Sequence, residues 1–167
     1  MKKKTLFAGK DFTTVLPMFN NLVIKAGAKK QDILIFAGCP GPCFSMATFF
    51  GFGIRDLNLH LYFAANADLN QLWRLEYDEA MGMAAAGKGA PVKAKVLVLM
   101  SGLCTLPLEQ TLKLIEEGLS DGGRIIGEAP AFDLFEEQGW ADKVPFDFLF
   151  EFAMARPTAF EVADISD

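Results

Sequence analysis

The stretch Asp32-Ile33-Leu34-Ile35-Phe36-Ala37-Gly38-Cys39-Pro40-Gly41-Pro42-Cys43-Phe44 decides the fold. The apolar run from Ile33 to Ala37 has no polar alternation, the pattern of a strand buried on both faces. The Cys-Pro-Gly-Pro-Cys turn stops it, and a helix from about Phe44 to Arg55 follows. No charge occurs in the 22 residues from Ile33 to Ile54, nominally a membrane-spanning length. Two prolines and two glycines at its centre would break a helix where lipid cannot satisfy the freed backbone groups. The stretch therefore predicts a buried strand, a tight loop and a buried helix.

Val96-Leu97-Val98-Leu99-Met100 is a second fully apolar strand. Around these two, the spacing predicts a helix from about Thr14 to Ala26, with Pro17 in its first turn and Gly27 as its stop. A strand is expected at Leu59–Ala64. A helix is expected at Leu69–Met81, capped by Asp68 and with Leu69, Leu72, Trp73 and Ala80 on one face. Ala84–Pro91 reads as a loop. Thr105 and Pro107 open a helix carrying Leu108, Leu112, Ile115 and Leu119. Gly122-Gly123 ends that unit before a short strand, Arg124–Gly127, and a helix from Phe132 to Gln138 stops at Gly139. The last strand alternates, with Phe146, Phe148, Phe150 and Phe152 on one face and Asp147 and Glu151 on the other, as at a sheet edge. Strands alternating with helices imply an α/β three-layer sandwich, a mainly parallel sheet of about five strands, flavodoxin-like or Rossmann-like.

The 167 residues suit a single domain, 1–167. With 51% hydrophobic and 22% charged residues, composition excludes disorder, collagen and coiled coil. The net charge of −5 argues against a nucleic-acid partner. Charge is uneven: residues 1–30 carry seven lysines against Asp11, while residues 108–167 carry fourteen acidic and four basic residues. The basic end is expected to lie solvated near, or opposite, the acidic end. Asp11 and the Thr13-Thr14 pair interrupt any signal-peptide core, and three cysteines do not make a disulfide scaffold. A cytoplasmic protein with no membrane partner is expected.

In parallel sheets ligands bind outside the carboxyl ends of the strands, where strand order reverses. That places a site over Gly38–Ser45 and Ser101–Thr105, with Gly38, Cys39, Gly41, Cys43, Ser45, Ser101, Gly102, Cys104, Thr105 and Glu128 as candidates. Cys43 stands where a helix begins, so the helix dipole would favour its thiolate, as nucleophile or as redox thiol with Cys39 as resolving partner. The plainer alternative is a small residue packed at a crowded turn. No arginine follows before Arg55, which excludes a phosphatase-type loop. His60, the sole histidine, shares a face with Tyr62 and is expected in the core or an interface. Cys39, Cys43 and Cys104 are candidates to converge on zinc or an iron cluster, but Cys-x-x-x-Cys is not zinc-knuckle spacing, and no stoichiometric metal is expected. Gly38, Gly41 and the helix start suit an anion, although Pro40 and Pro42 remove two donors. Standard dinucleotide and triphosphate signatures are absent, so no cofactor is named. Asp68 stands loosely where a ribose-binding acid would, and Glu128 is a lone carboxylate at the pocket.

The run Gly38–Cys43, with Arg55-Asp56, Glu79-Ala80-Met81-Gly82-Met83 and Ser101-Gly102-Leu103, resembles an uncharacterised family of methanogenic archaea, a domain of unknown function. Its Gly-x-Pro-Gly-x-Cys pattern is matched by Gly38, Pro40, Gly41 and Cys43, and the likeness extends from the first strand to the Gly139-Trp140 turn. Cys39 and Cys104 fall outside the pattern, which counts against a three-cysteine metal site. The resemblance implies an archaeal cytosolic α/β protein and supplies no activity.

Two functions are expected from these residues: binding of a small molecule or anion at the two loops, or non-catalytic assembly through a Phe-rich sheet edge. Sixteen phenylalanines and a mean hydropathy of +0.24 suit burial between subunits, and a homodimer is expected.

Overall fold

In the computed structural model, which describes residues 2–153 and 159, seven strands form one sheet. The chain runs α1 (Val15–Lys25), β1 (Ile33–Gly38), α2 (Pro42–Gly53), β2 (His60–Ala65), β3 (Leu72–Asp78), β4 (Gly82–Lys88), β5 (Ala94–Met100), α3 (Leu108–Gly118), β6 (Leu119–Ala129), α4 (Leu134–Glu137) and β7 (Phe148–Glu151). The order across the sheet is β4-β3-β2-β1-β5-β6-β7. β2, β1, β5, β6 and β7 are mutually parallel, and β3 and β4 add an antiparallel hairpin.

The apolar runs of β1 and β5 are explained by burial on both sides. Leu34, Phe36, Val96, Val98 and Met100 join a core with Phe19 and Val23 of α1 and Ala47 and Phe50 of α2. Ile35, Ala37, Leu97 and Leu99 face the other way, against Leu114 of α3 and Phe135 of α4. Helices thus cover both faces.

Three regions of the chain, and the strand count, are corrected. Residues 69–81 are not a helix. Asp68 caps a single 3-10 turn, Leu69–Gln71, by accepting from the Asn70 N–H at 2.9 Å, and β3 follows. Leu72 and Leu75 mimic helical spacing, yet they are buried on opposite faces of the sheet. Pairing with β2 outweighs local helix propensity, because the exposed edge of β2 needs hydrogen-bond partners. The expected loop at Ala84–Pro91 contains most of β4, which completes that hairpin after the Asp78 carboxylate accepts the Ala80 and Met81 N–H groups.

The second correction is that Gly122-Gly123 does not end a unit. β6 runs through it, with a register shift against β5 between Ala94 and Val96. The third concerns the last strand. Phe148, Phe150 and Phe152 share a face, but Phe146 precedes β7 and packs on the other side, its ring 4.8 Å from that of Phe135. The strand does lie at the sheet edge. With seven strands the sheet is also wider than the five expected. No helix among the described residues is long and apolar enough to cross a membrane.

Candidate functional site

β1 and β5 are neighbours, and the chain leaves them in opposite directions, to β2 on one side and β6 on the other. Strand order therefore reverses between them, and at their carboxyl ends the Gly38–Ser45 and Ser101–Thr105 loops meet, Gly102 lying against the Cys39 and Cys43 sulfurs. α2 begins at Pro42, two residues earlier than expected. Proline is suited there because the first helical N–H has no intrahelical partner. Gly41 caps the helix with φ of +84°, a conformation that favours glycine.

The loop folds Cys39 back onto Cys43, bringing their sulfurs to 3.1 Å, both as free thiols. Two glycines make the space. A Cβ on Gly102 would stand 2.6 Å from the Cys39 sulfur and collide with that of Cys43. A Cβ on Gly38 would run into Cys43 and lie 3.3 Å from the Met100 Cβ. Gly38, Cys39, Cys43 and Gly102 are thus one assembly, half-walled by Met100.

The expected Cys43 thiolate is reversed by burial. Cys43 is in the first turn of α2, but it is 7% exposed. Burial, and then the Cys39 thiol, push it up to about 12, against the opposing pull of the Cys39 and Gly102 N–H groups. At neutral pH it is a protonated thiol. A helix dipole acts within its first turn and is worth less than full desolvation of a sulfur anion.

The other candidates separate. Cys104 packs against the core on the opposite face, and burial pushes its thiol up to about 11. The three cysteine sulfurs do not gather within 4.8 Å of one another. Ser45 and Thr105 are exposed, and the Thr105 hydroxyl donates to the Gly102 carbonyl at 2.8 Å. Ser101 is half-buried in the 3-10 turn after β5. His60 is exposed at the amino end of β2, away from the two loops and from any core.

Glu128 is the penultimate residue of β6, opposite Met100 on β5 and Phe150 on β7. It is 2% exposed, its Oε1 has no hydrogen-bond partner, and burial pushes its carboxyl up to about 8. It lies in the same cross-strand row as Met100, about 10 Å, or two strand spacings, from Gly38. It is a buried acid beside the site rather than part of the thiol cluster.

A second cluster escaped residue-by-residue reading. The Lys3 ammonium lies 2.8 Å from Asp133, 2.6 Å from Glu136 and 2.9 Å from Glu151. Beside it the arm, α1 and β7 enclose a groove of about 690 Å3 lined by Leu6, Phe7, Phe12, Phe132 and Phe148. The opposed charges of the two ends were the one sequence signal for it.

A mixed α/β protein with a seven-stranded, mostly parallel sheet, carrying a thiol pair at the carboxyl ends of its central strands, is the class that fold and site define. The chain belongs to the family described as uncharacterised and conserved in archaea, DUF2124, which residues 10–155 match. It is similar to an uncharacterised protein of Methanothermobacter thermautotrophicus, 32% identical over 130 residues, 75% of this chain and 81% of that one. A protein of Methanocaldococcus jannaschii, likewise uncharacterised, is 27% identical over 153 residues, 90% of this chain and 91% of its own. The crystal structure of a protein of unknown function from Methanothermobacter thermautotrophicus matches with a TM-score of 0.84 at 25% identity, covering 96% of this chain and 100% of that one. The family expected from the Gly38–Cys43 loop is the one to which the chain belongs.

Proposed function

We propose that this protein binds a small molecule in the crevice between the 38–45 and 101–105 loops. The five parallel strands follow the 2-1-3-4-5 order of flavodoxin-like sheets, whose ligands sit at the reversal of strand order, here between β1 and β5. The observation that carries the proposal is the polar content of that crevice: two free thiols 3.1 Å apart, held by glycines that no larger residue can replace without collision. With Pro40 and Pro42 removing N–H donors, a neutral or singly charged ligand suits the loop better than a polyphosphate. Nuclear magnetic resonance titration with organic acids, thiols and nucleosides tests this. Shift changes clustered on residues 38–45 and 101–105 support it, and changes confined to the groove at Phe132 reject it.

A second function, self-association through the β7 edge, is favoured by one specific observation. Phe132 is 63% and Phe12 54% exposed beside the groove, a concentration of apolar surface next to a sheet edge. Light scattering at low salt should give twice the 18.3 kDa chain mass. A monomer across micromolar concentrations would remove this function.

A further inference from the structure

We propose that Cys39 and Cys43 are a dithiol–disulfide couple that exchanges with low-molecular-weight disulfides. This rests on the crevice proposed above as the binding site, and it names the substrate class. The sulfurs stand 3.1 Å apart and need to close by about 1 Å to reach bonding distance. The Pro40-Gly41-Pro42 turn holds them together, and the missing side chains of Gly38 and Gly102 leave room for the movement. Cys104, on the opposite face of the sheet, is out of reach as a competing partner.

The two thiols are not equivalent, and their surroundings assign the order of events. Cys39 is half-buried and Cys43 buried, so an incoming disulfide meets Cys39 first. The Cys39 thiolate attacks one sulfur of the substrate R–S–S–R. A Cys39–S–S–R bond forms, the substrate S–S bond breaks, and R–S⁻ leaves. That thiolate takes the proton from Cys43, which supplies the base the site otherwise lacks. The Cys43 thiolate then attacks the Cys39 sulfur and expels the second R–S⁻, which is protonated from solvent with the proton first lost by Cys39. The balance is dithiol plus R–S–S–R giving protein disulfide plus two R–SH, with two electrons passing to the substrate.

Cys43 is suited to the second step. While Cys39 is free, its thiol and charge add to burial in holding Cys43 protonated. Once Cys39 is tied up as the mixed disulfide those contributions go, which leaves burial, the largest single cause, opposed by the N–H groups of Gly102 and Cys39. A small substrate is favoured over a protein one because the pair is recessed between two loops. Excess low-molecular-weight thiol reverses both steps and regenerates the dithiol.

The test uses the full chain, reduced and then exposed to glutathione disulfide or cystamine, with quenching and peptide mapping. The expected result is a Cys39–Cys43 linkage with Cys104 still free, reversed by added thiol. Cys43→Ser should stop at a mixed disulfide on Cys39, and Cys39→Ser should slow reaction by about tenfold or more. Cys104→Ser should behave as the parent chain. A mixed disulfide that persists in the parent protein, a linkage to Cys104, or no reaction over hours would each overturn the proposal, and the parent map alone decides this if a variant fails to fold. If exchange fails while titrated ligands still shift residues 38–45 and 101–105 in the parent chain, the binding proposal stands without it. Exchange without any such shifts rejects the binding proposal alone.

Discussion

The Lys3 ammonium lies 2.9 Å from the Glu151 carboxylate, 148 residues further along the chain. Glu136 and Asp133 complete a three-acid nest around the same nitrogen. Partial burial alone would lower the lysine's proton affinity. The hydrogen bonds it donates to the three acids together outweigh that, and the net direction is well up. The contact ties the amino-terminal arm to Glu151 on the edge strand β7 and to Asp133 and Glu136 before it.

Replacing Lys3 with Met should therefore destabilise the fold through charge rather than packing. About 1–2 kcal/mol is expected at low salt, since one cation answers the partly shielded Glu136 and Glu151 carboxylates as well as the exposed Asp133. At 1 M salt, with a screening length of about 3 Å, most of the loss should vanish. Thermal melts at two salt concentrations measure this, and equal losses at both would show the contact to be merely steric.

Gly102→Ala should cost about 1–3 kcal/mol, because a Cβ there overlaps both sulfurs and the loop must shift. It should also slow disulfide formation between Cys39 and Cys43. Denaturant unfolding with rate measurement on one preparation checks both, and a stable variant with undiminished exchange would mean that the glycine does not set the sulfur separation.

Brief treatment of native protein with iodoacetamide near neutral pH should modify Cys39 ahead of the other two. Burial pushes Cys43 to about 12 and Cys104 to about 11, so few thiolates form at either. Site-resolved mass spectrometry gives the order. Cys43 reacting first would restore the thiolate that its helix position had suggested.

Glu128 should make stability fall as pH rises. Its carboxyl is pushed up to about 8 when folded, whereas unfolded it titrates near the ordinary value of about 4.3. Between those values the unfolded chain holds fewer protons, so each step up in pH favours unfolding. The loss builds from about pH 4.3 to about pH 8 and then levels, reaching about 4–5 kcal/mol. Glu128→Gln should flatten the dependence. Denaturant midpoints across that range decide it, and parallel curves for parent and variant would mean that Glu128 has a partner.

Some of this protein was legible before any fold was known. Ile33–Ala37 and Val96–Met100 are apolar at every position, and a strand with no polar side has to be buried on both faces wherever it lies. The Pro-Gly-Pro turn stops the first of them and starts a helix, because proline and glycine restrict or free the backbone without reference to distant residues. These local constraints set the 38–45 loop at a strand end, and the Gly-x-Pro-Gly-x-Cys pattern identified the family. Tertiary structure decided the rest. Leu72 and Leu75 are spaced as in a helix, yet β2 needed a partner and drew them into a hairpin. Cys43 sits where a dipole favours a thiolate, yet packing under Cys39, Gly38 and Gly102 removes the water that an anion needs. Lys3 finds its acids at the far end of the chain. Strand pairing, desolvation and long-range charge depend on which segments meet, and adjacency in sequence carries no information about that.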